Sequence, residues 1–502
     1  MVAIEHPRFT AYPFSLGVAS GSPLPTGVVL WTRLAPEPLD GGGLGSDAIV
    51  VHWEVADDEG FTRVVRQGSV EALASRAHSV HVEADGLAPD RAYFYRFMAG
   101  SEVSAVGRTR TAPPADSAPA RLRFAFASCQ HFEQGFYAAH RHLAAEELDL
   151  MLFLGDYIYE GPGRTDQVPG RPRAVRRHAG GEARTLRDYR NRHAQYKTDP
   201  DLQRLHAAVP WLVTWDDHEV DNNYAGTRSE SLDPDFRRRR AAAYQAYFEH
   251  MPLRARARPT ASGMILRSRH DFGRLARFHL LDARQRRTPQ ACPRAGRGGA
   301  DWIDRQCRAL RAPRRTMLGP AQERWLADGL RGAADRWNFI GEATLMARAL
   351  RPVDGQLKVS SDAWDGYPAA RDRLLASIAD AGLGSCVVLS GDAHTTFVCD
   401  LKRDFDDAGA PPVATEVCGT SITSRGRAQS VTDAIVRANP HIHYGDSARR
   451  GYVAVDVSAG RCIATLRVLD DPLDPQSGIA TAATFAIEAG QPGARPAAPA
   501  AV

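Results

Sequence analysis

Four polar segments in this chain each begin where an apolar run of strand length ends. Ser128-Cys129-Gln130 follows the run at 124–127, and Gly155-Asp156-Tyr157-Ile158-Tyr159-Glu160 follows 150–154. Trp215-Asp216-Asp217-His218-Glu219 closes the run at 211–215, and Gly391-Asp392-Ala393-His394 follows 386–389. Short runs with no polar alternation read as strands buried on both faces, which need helices over both sides of a sheet. Helical segments are expected at 136–147, 237–250, 321–330 and 369–380, with further strands at 278–281 and 338–340. Alternation of that kind sets an α/β class in which strand ends, and the loops that leave them, converge.

Each segment offers a chemistry. A carboxylate at the end of a buried strand, such as Asp156, is costly unless it is paired, hydrogen-bonded or bound to cations. One carboxylate can bridge two cations. Tyr159 lies three residues on, so one helix-like turn would bring its phenol to the same side. The plainer alternative is a buried Asp capping a helix, with Tyr159 in the core. A phenolate ligand calls for a hard, high-valent metal, because a phenol pKa of about 10 must fall far. Fe(III) does this most readily. Cys129, between polar Ser128 and Gln130, would coordinate as its thiolate, although a lone Cys is more often an inert core residue. The run 215–224 sets Asp216, Asp217, Glu219, Asp221, His218 and two Asn against an abruptly apolar strand. Like charges clustered there repel, so a cation is expected. Asp392 and His394, two apart on an extended segment, would point to the same side.

With 502 residues the chain is too long for one simple core, so two or three domains are expected. Residues 14–110 read as a small β-sandwich: short alternating segments at 28–31, 50–55, 79–82 and 93–97 are separated by Gly, Pro and Asp turns. A Thr/Ala/Pro/Ser/Asp linker at 111–121 leads to a catalytic part at 122–490, with β-rich segments at 413–417, 452–457 and 462–468. The Ala/Pro/Gly-rich tail, 491–502, reads as disordered. The net charge of +4 suits an anionic substrate without demanding one. Of 63 basic residues only Lys197, Lys358 and Lys402 are lysine, and the arginines are spread along the chain, as codon bias would leave them. No apolar run reaches the roughly 18 residues of a membrane span, and residues 1–13 lack the apolar core of a signal peptide. The cysteine count of seven is odd; Cys292 and Cys307 read either as a disulfide in an oxidising compartment or as two free thiols.

The order Cys, Asp-x-x-Tyr, Asp-His, Asp-x-His resembles the alkaline phosphatase D (PhoD-like) family of metallophosphatases. In the wider purple acid phosphatase type, a first-strand ligand is followed by Gly-Asp-x-x-Tyr, Asn-His-Glu and a His-x-His pair. The PhoD-like family has Cys first, and Asp for the Asn and the first His, as at Cys129, Asp217 and Asp392. Flanking segments are similar too: Gly17-Val18-Ala19-Ser20-Gly21, Tyr196-Lys197-Thr198-Asp199-Pro200, Leu281-Asp282-Ala283-Arg284-Gln285, Gly419-Thr420-Ser421-Ile422-Thr423-Ser424 and Asn439-Pro440-His441-Ile442. The similarity runs from about residue 14 to residue 469. It departs at Ile340-Gly341-Glu342-Ala343-Thr344-Leu345, where a glutamine-rich strand end is expected; that bears on substrate contacts rather than on metals.

The resemblance implies an α/β (α+β) metallophosphatase-type β-sandwich flanked by helices, with a small N-terminal all-β fibronectin/Ig-like domain. It implies Fe(III) held by Cys129, Asp156, Tyr159 and His394. It implies one or two Ca2+ ions, with Asp156, Asp217 and Asp392 as ligands, an all-oxygen set that favours Ca2+ over Zn2+. Asn222 or Asn223 would assist, or serve only as turn residues. The implied activity is that of an alkaline phosphatase. It would hydrolyse phosphate monoesters and also diesters, by in-line attack of water or an oxo species activated by the metals. His218 would touch the phosphate or protonate the leaving oxygen. Family export in folded form implies a periplasmic or secreted protein.

Three other readings compete. A phospholipase D-type phosphodiesterase acting on phospholipids would be favoured by exposed aromatics at Phe132, Phe136 and Tyr224, which are more often core residues. A non-catalytic cell-surface binding protein would be favoured by lost ligands, and none is lost. Nucleic-acid binding would rest on Arg237 to Arg240, but that run opens a helix without interleaved aromatics, so a solvated helix end is expected instead. The Arg- and Gly-rich segment 164–192 reads as a lid, a substrate-selecting wall or a surface loop. Oligomeric state is left open.

Overall fold

Strand Leu122–Ala127 runs parallel to Leu150–Phe153, pairing Phe124 with Leu150 and Ala127 with Phe153, and Trp211–Val213 extends the ladder in parallel. A pleated backbone sends Phe124, Phe126, Leu150 and Leu152 to one face and Ala125, Ala127, Met151 and Phe153 to the other. The first set packs with Phe278, Phe339, Val387 and Leu389 of a second sheet. The second set packs with Tyr189, Leu202, Tyr244 and Tyr247 from helices. Both faces are dry, which is why these strands carry no polar alternation. The computed structural model describes residues 3–163 and 174–498.

The first sheet has ten strands. In spatial order they are Gln491–Pro496, Ile479–Glu488, Arg461–Leu469, Gly451–Val457, Leu122–Ala127, Leu150–Phe153, Trp211–Val213, Val18–Leu24, Gly27–Arg33 and Ser79–Asp85. The second has seven, and in it Ala276–Leu280, Trp337–Gly341, Cys386–Ser390 and Pro412–Cys418 run parallel. Helices Ala138–Ala145, Leu186–Lys197, Pro200–Ala208 and Phe236–His250 cover the outer face of the first sheet, and Pro320–Leu330 and Pro368–Asp380 that of the second. The expected helices at 237–250, 321–330 and 369–380 are each found within a residue of those limits. The chain is thus a mixed α/β structure, mostly sheet.

The N-terminal strands divide between two sheets. Val18–Leu24, Gly27–Arg33 and Ser79–Asp85 belong to the ten-stranded sheet through a parallel bridge of Gly21 to Trp211. Ala48–Ala56, Val64–Ala72 and Ala92–Ala99 belong to a separate six-stranded sheet. Val28, Leu30, Val51, Val55, Tyr95 and Phe97 close one apolar cluster between the two.

Of the tail 491–502 expected to be disordered, Gln491–Pro496 is instead an edge strand paired antiparallel with Ile479–Glu488, and residues 499–502 lie outside the described residues. An edge strand tolerates Pro492 and Pro496, which cannot donate to a ladder on both sides, and Ala494 is buried in the core. Composition alone had hidden that alternation. Within 164–192, residues 164–173 lie outside the described residues, and the rest ends in the helix Leu186–Lys197. That helix opens on a capping box in which Thr185 and Asp188 satisfy each other's backbone N–H groups. Cys292 and Cys307 form a disulfide. No described helix is long and apolar enough to cross a membrane.

Candidate metal centre

The chemistry-bearing loops leave the C-terminal ends of parallel strands in both sheets: Leu122–Ala127, Leu150–Phe153 and Trp211–Val213 in one, Ala276–Leu280 and Cys386–Ser390 in the other. Backbone hydrogen bonds carry the ladder one step past the strands, from Cys129 N–H to Gly155 O and from Gln130 N–H to Asp156 O, both at 3.1 Å. Gly155 adopts φ +116°, and a Cβ there would lie 2.6 Å from Asp216 Cβ and 2.7 Å from Asp216 N. Only glycine lets the Asp156 and Asp216 loops touch.

Cys129, Asp156, Asp392 and His394 all sit in the left-handed region, at φ 59°, 55°, 58° and 48°. For a residue other than glycine this costs about 1–3 kcal/mol. Four of the thirteen described non-glycine residues with positive φ are thus candidate site residues, and a fold tolerates such strain where it directs a side chain. The 391–395 segment is therefore a turn, not the extended segment expected, and Asp392 and His394 join different groups. The bend at 154–160 likewise brings Tyr159 back to Asp156 without a helical turn.

The first group is Cys129, Asp156 and His394, whose ligand atoms lie within 4.8 Å of one another. Tyr159 completes it: its hydroxyl donates to Asp156 Oδ2 at 2.7 Å, stands 3.2 Å from His394 Nε2, and accepts from Ser424 Oγ at 2.7 Å. His394 Nδ1 donates to Arg425 O at 3.0 Å, which fixes the tautomer and leaves Nε2 facing the group. Two further groups meet the same spacing: Asp156, Asp217 and His218, and Asp216, Asp217 and Asp392. All of the candidate residues Cys129, Asp156, Tyr159, Asp217, His218, Asp392 and His394 thus meet in one place, and Asp156 belongs to two of the groups.

The donor set fits cations. Asp156 Oδ1 and Asp216 Oδ2 are buried and have no hydrogen-bond partner, an arrangement that is expensive unless something positive faces it. Burial pushes the Asp392 carboxyl up to about 8, with Arg284 acting against the shift and Asp217 adding to it. Burial also raises Asp216, whose neighbours Asp217, Asp392 and Asp156 add to the effect. The Cys129 thiol and the Tyr159 phenol are both pushed well up, first by burial and then by Asp156. Mutual repulsion among buried acids is what a bound metal relieves.

Several residues of the centre were not singled out in advance. Glu219 is wholly buried and accepts from the backbone N–H groups of Asp156, Tyr157 and Asp216, locking two loops together. Arg284, also wholly buried, ion-pairs with Asp216, lies 2.7 Å from Asp362 and reaches within 3.6 Å of Asp217 Oδ1. Glu160 holds His218 Nδ1 at 2.7 Å. Asn223, expected either to assist or to serve as a turn residue, adopts φ 54° and donates its N–H to Asp217 Oδ2 at 2.6 Å, so it orients a candidate ligand from a turn. Their signals were present in Asp217-His218-Glu219 and in Asp282-Ala283-Arg284, but a partner across the fold cannot be read from spacing.

One surface reading changes, and another is decided. Arg239, expected on a solvated helix end, is buried and ion-pairs with Asp221 at 2.8 Å and Glu182 at 2.9 Å. It braces the loop after Asp217. Of the aromatics that would favour a lipid, Tyr224 is fully buried, and Phe132 and Phe136 lie under the Arg176 guanidinium at 4.0 Å and 5.4 Å.

A family model described as PhoD-like phosphatase matches residues 124–466, and one for the N-terminal domain of PhoD-like phosphatase matches residues 2–113. The chain is 45% identical over 496 residues to alkaline phosphatase D of Bacillus subtilis (strain 168), covering 97% of this chain and 83% of that protein. A solved structure described as that of PhoD superposes with a TM-score of 0.92 at 44% identity, covering 99% of this chain and 94% of the other.

Proposed function

The chain belongs to the PhoD-like phosphatase family and is a metal-dependent phosphoesterase, and from that premise we propose how its residues divide the work. Cys129, Asp156, Tyr159 and His394 hold Fe(III); Asp156, Asp217 and Asp392 hold Ca2+, with Asp216 close enough to join them. The observation that carries this reading is the place of Asp156. It shares a hydrogen bond with Tyr159, belongs to two ligand groups, and keeps Oδ1 buried without a partner. A thiolate and a phenolate suit a trivalent iron, and clustered carboxylates suit calcium. When bound, the metals supply charge neutralisation at the phosphoryl group and activation of the attacking water.

The chain's own side chains supply orientation and protons. Burial alone would lower the His218 pKa, but Glu160, Asp156 and Asp217 outweigh it and hold the imidazole protonated. With Nδ1 anchored on Glu160, His218 keeps its other nitrogen for the phosphate or for the leaving oxygen. Glu219 and Arg284 fix the loops from beneath.

The alkaline phosphatase relative favours a phosphatase over the phospholipase D-type alternative. We read the N-terminal layers, 14–110, as a fibronectin type III-like support for the catalytic part. A periplasmic or secreted location agrees with the Cys292–Cys307 disulfide. The test is hydrolysis of 4-nitrophenyl phosphate and of bis(4-nitrophenyl) phosphate, with added Ca2+ or EGTA, alongside the visible spectrum and metal content. Calcium-dependent turnover by a coloured, iron-containing protein is the expected result. Turnover that survives EGTA in a colourless, iron-free protein would overturn the metal assignment.

A further inference from the structure

After strand Pro412–Cys418 the chain loops back over the candidate centre before helix Gln429–Ala438 begins. Gly426 is tightly packed in that loop: a Cβ there would lie 2.6 Å from His394 O and 2.5 Å from Ser447 O. Backbone pressed against backbone at this point seats the next residue, Arg427, beside the centre. Its Nη2 donates to Ala393 O at 3.3 Å, the carbonyl between Asp392 and His394.

Arg427 is met from the other side by a separate three-stranded sheet made of Trp302–Asp304, Gln356–Ser360 and Arg351–Val353. That sheet packs Ile303, Val359 and Leu350 into a small apolar cluster of its own. Alternation along the strand turns Trp302 away from Ile303 and out of that cluster. The Arg427 guanidinium lies 5.9 Å from the Trp302 ring centroid and that of Arg351 lies 4.9 Å from it. Neither arginine makes an ion pair among the described residues. Burial lowers the Arg427 pKa, and the Arg351 charge adds to that. Asp392 acts on Arg427 from a distance in the opposite sense, but with no carboxylate in contact the two guanidinium groups beside one indole repel each other, and a shared anion removes the repulsion.

We propose that Arg427 and Arg351, held on Trp302, form a subsite for a second anionic group on the leaving group of the phosphate ester. The substrate class is a phosphate ester whose alcohol carries a carboxylate or a further phosphate. The proposal rests on the phosphoesterase reading of the neighbouring metal centre. The arginines touch the part of the substrate that departs, so they set which ester is preferred rather than the bond that breaks.

Two matched pairs of substrates test it. Glycerol 3-phosphate against 3-phosphoglycerate adds a carboxylate, and fructose 6-phosphate against fructose 1,6-bisphosphate adds a phosphate. For the metal-replete wild type, kcat/KM is expected to favour the doubly anionic member of at least one pair by on the order of tenfold. Which pair shows the preference identifies the anion. Arg351→Gln and Arg427→Gln each bring that ratio towards one, Arg351→Lys retains part of it, and Arg403→Gln, which removes an exposed arginine elsewhere, leaves it unchanged. Arg351 is half-exposed on its own small sheet, so a melting temperature equal to that of the wild type separates lost recognition from lost folding. A wild-type ratio near one for both pairs, or a ratio that both Gln variants keep, overturns the subsite while leaving the phosphoesterase intact. No turnover of any of the four esters, nor of 4-nitrophenyl phosphate or bis(4-nitrophenyl) phosphate, by metal-replete protein overturns the reading beneath it as well.

Discussion

The phenol of Tyr159 donates to Asp156 Oδ2 across 2.7 Å. Burial, and then the Asp156 charge, push that phenol well above its ordinary pKa, so without a cation its proton stays. A metal must displace it, and loading should therefore release protons and tighten as pH rises. Tyr159→Phe keeps the ring between His131 and His218, at 4.4 Å and 4.2 Å, and deletes only the oxygen. The variant should fold, lose visible absorption, and bind iron on the order of 100-fold more weakly. Metal analysis and the spectrum check this; a variant with full iron and unchanged colour would remove Tyr159 from the ligand set.

Calcium should stabilise the protein through the acidic half of the centre. Asp216, Asp217 and Asp392 offer ligand atoms within 4.8 Å of one another, and anything that binds only the folded state raises the melting temperature with its concentration. A hundredfold excess over Kd corresponds to about 2.7 kcal/mol. Asp217→Asn and Asp392→Asn should each abolish most of the calcium-dependent rise. Calorimetric scans at several Ca2+ concentrations decide it, and a rise of equal size in both variants would place the calcium elsewhere.

The convergence of the loops that carry the candidate ligands could be anticipated because each side chain stands at the end of an uninterrupted apolar run, and because Asp156 and Tyr159 are close in sequence. The geometry could not. Asp392 and His394 diverge because both adopt left-handed φ values, which nothing in Asp-Ala-His announces. Arg284 reaches Asp216 across 68 positions and Ser424 reaches Tyr159 across 265; such partners exist only once the sheets face each other. The same holds for strand Val18–Leu24, whose parallel bridge to Trp211 draws part of the N-terminal half into the catalytic sheet. Composition misled at the tail, where Ala494 packs although Pro492, Gly493 and Pro496 surround it in sequence.

Glu219 accepts backbone hydrogen bonds from two loops, so replacing it tests whether the centre's frame depends on it. Burial pushes its carboxyl up to about 8, with Asp156 adding to the shift and the three N–H donors opposing it. Glu219→Gln swaps one accepting oxygen for an NH2 group that faces N–H donors. A buried unsatisfied pair of that kind costs about 1–3 kcal/mol. Chemical unfolding should show a loss of that size together with weaker metal retention. Unchanged stability would mean that the three N–H groups find other acceptors.

Lys197 should make stability rise with pH. It is buried, lies 4.3 Å above the Trp31 ring, and among the described residues its ammonium has His206 Nε2 as its one hydrogen-bond partner, at 3.3 Å. Burial pushes its ammonium down to about 7, whereas a lysine in the unfolded chain titrates at about 10.4. Below pH 7 both states hold the proton and the full penalty of burying the charge is present. Between about pH 7 and 10.4 the unfolded chain binds a proton that the folded chain has released, so the contribution to stability rises by about 1.4 kcal/mol per pH unit. Above that window the penalty is gone. Lys197→Met removes the titration but keeps an aliphatic chain against Trp31. The variant should be the more stable protein at pH 7, and its advantage should shrink steadily as the pH approaches 10. Denaturant midpoints at pH 7, 8, 9 and 10 measure the difference, in which other titrating groups cancel. A gap that stays constant with pH would mean that Lys197 does not change its charge on folding, and that Trp31 and His206 stabilise the ammonium as well as water does.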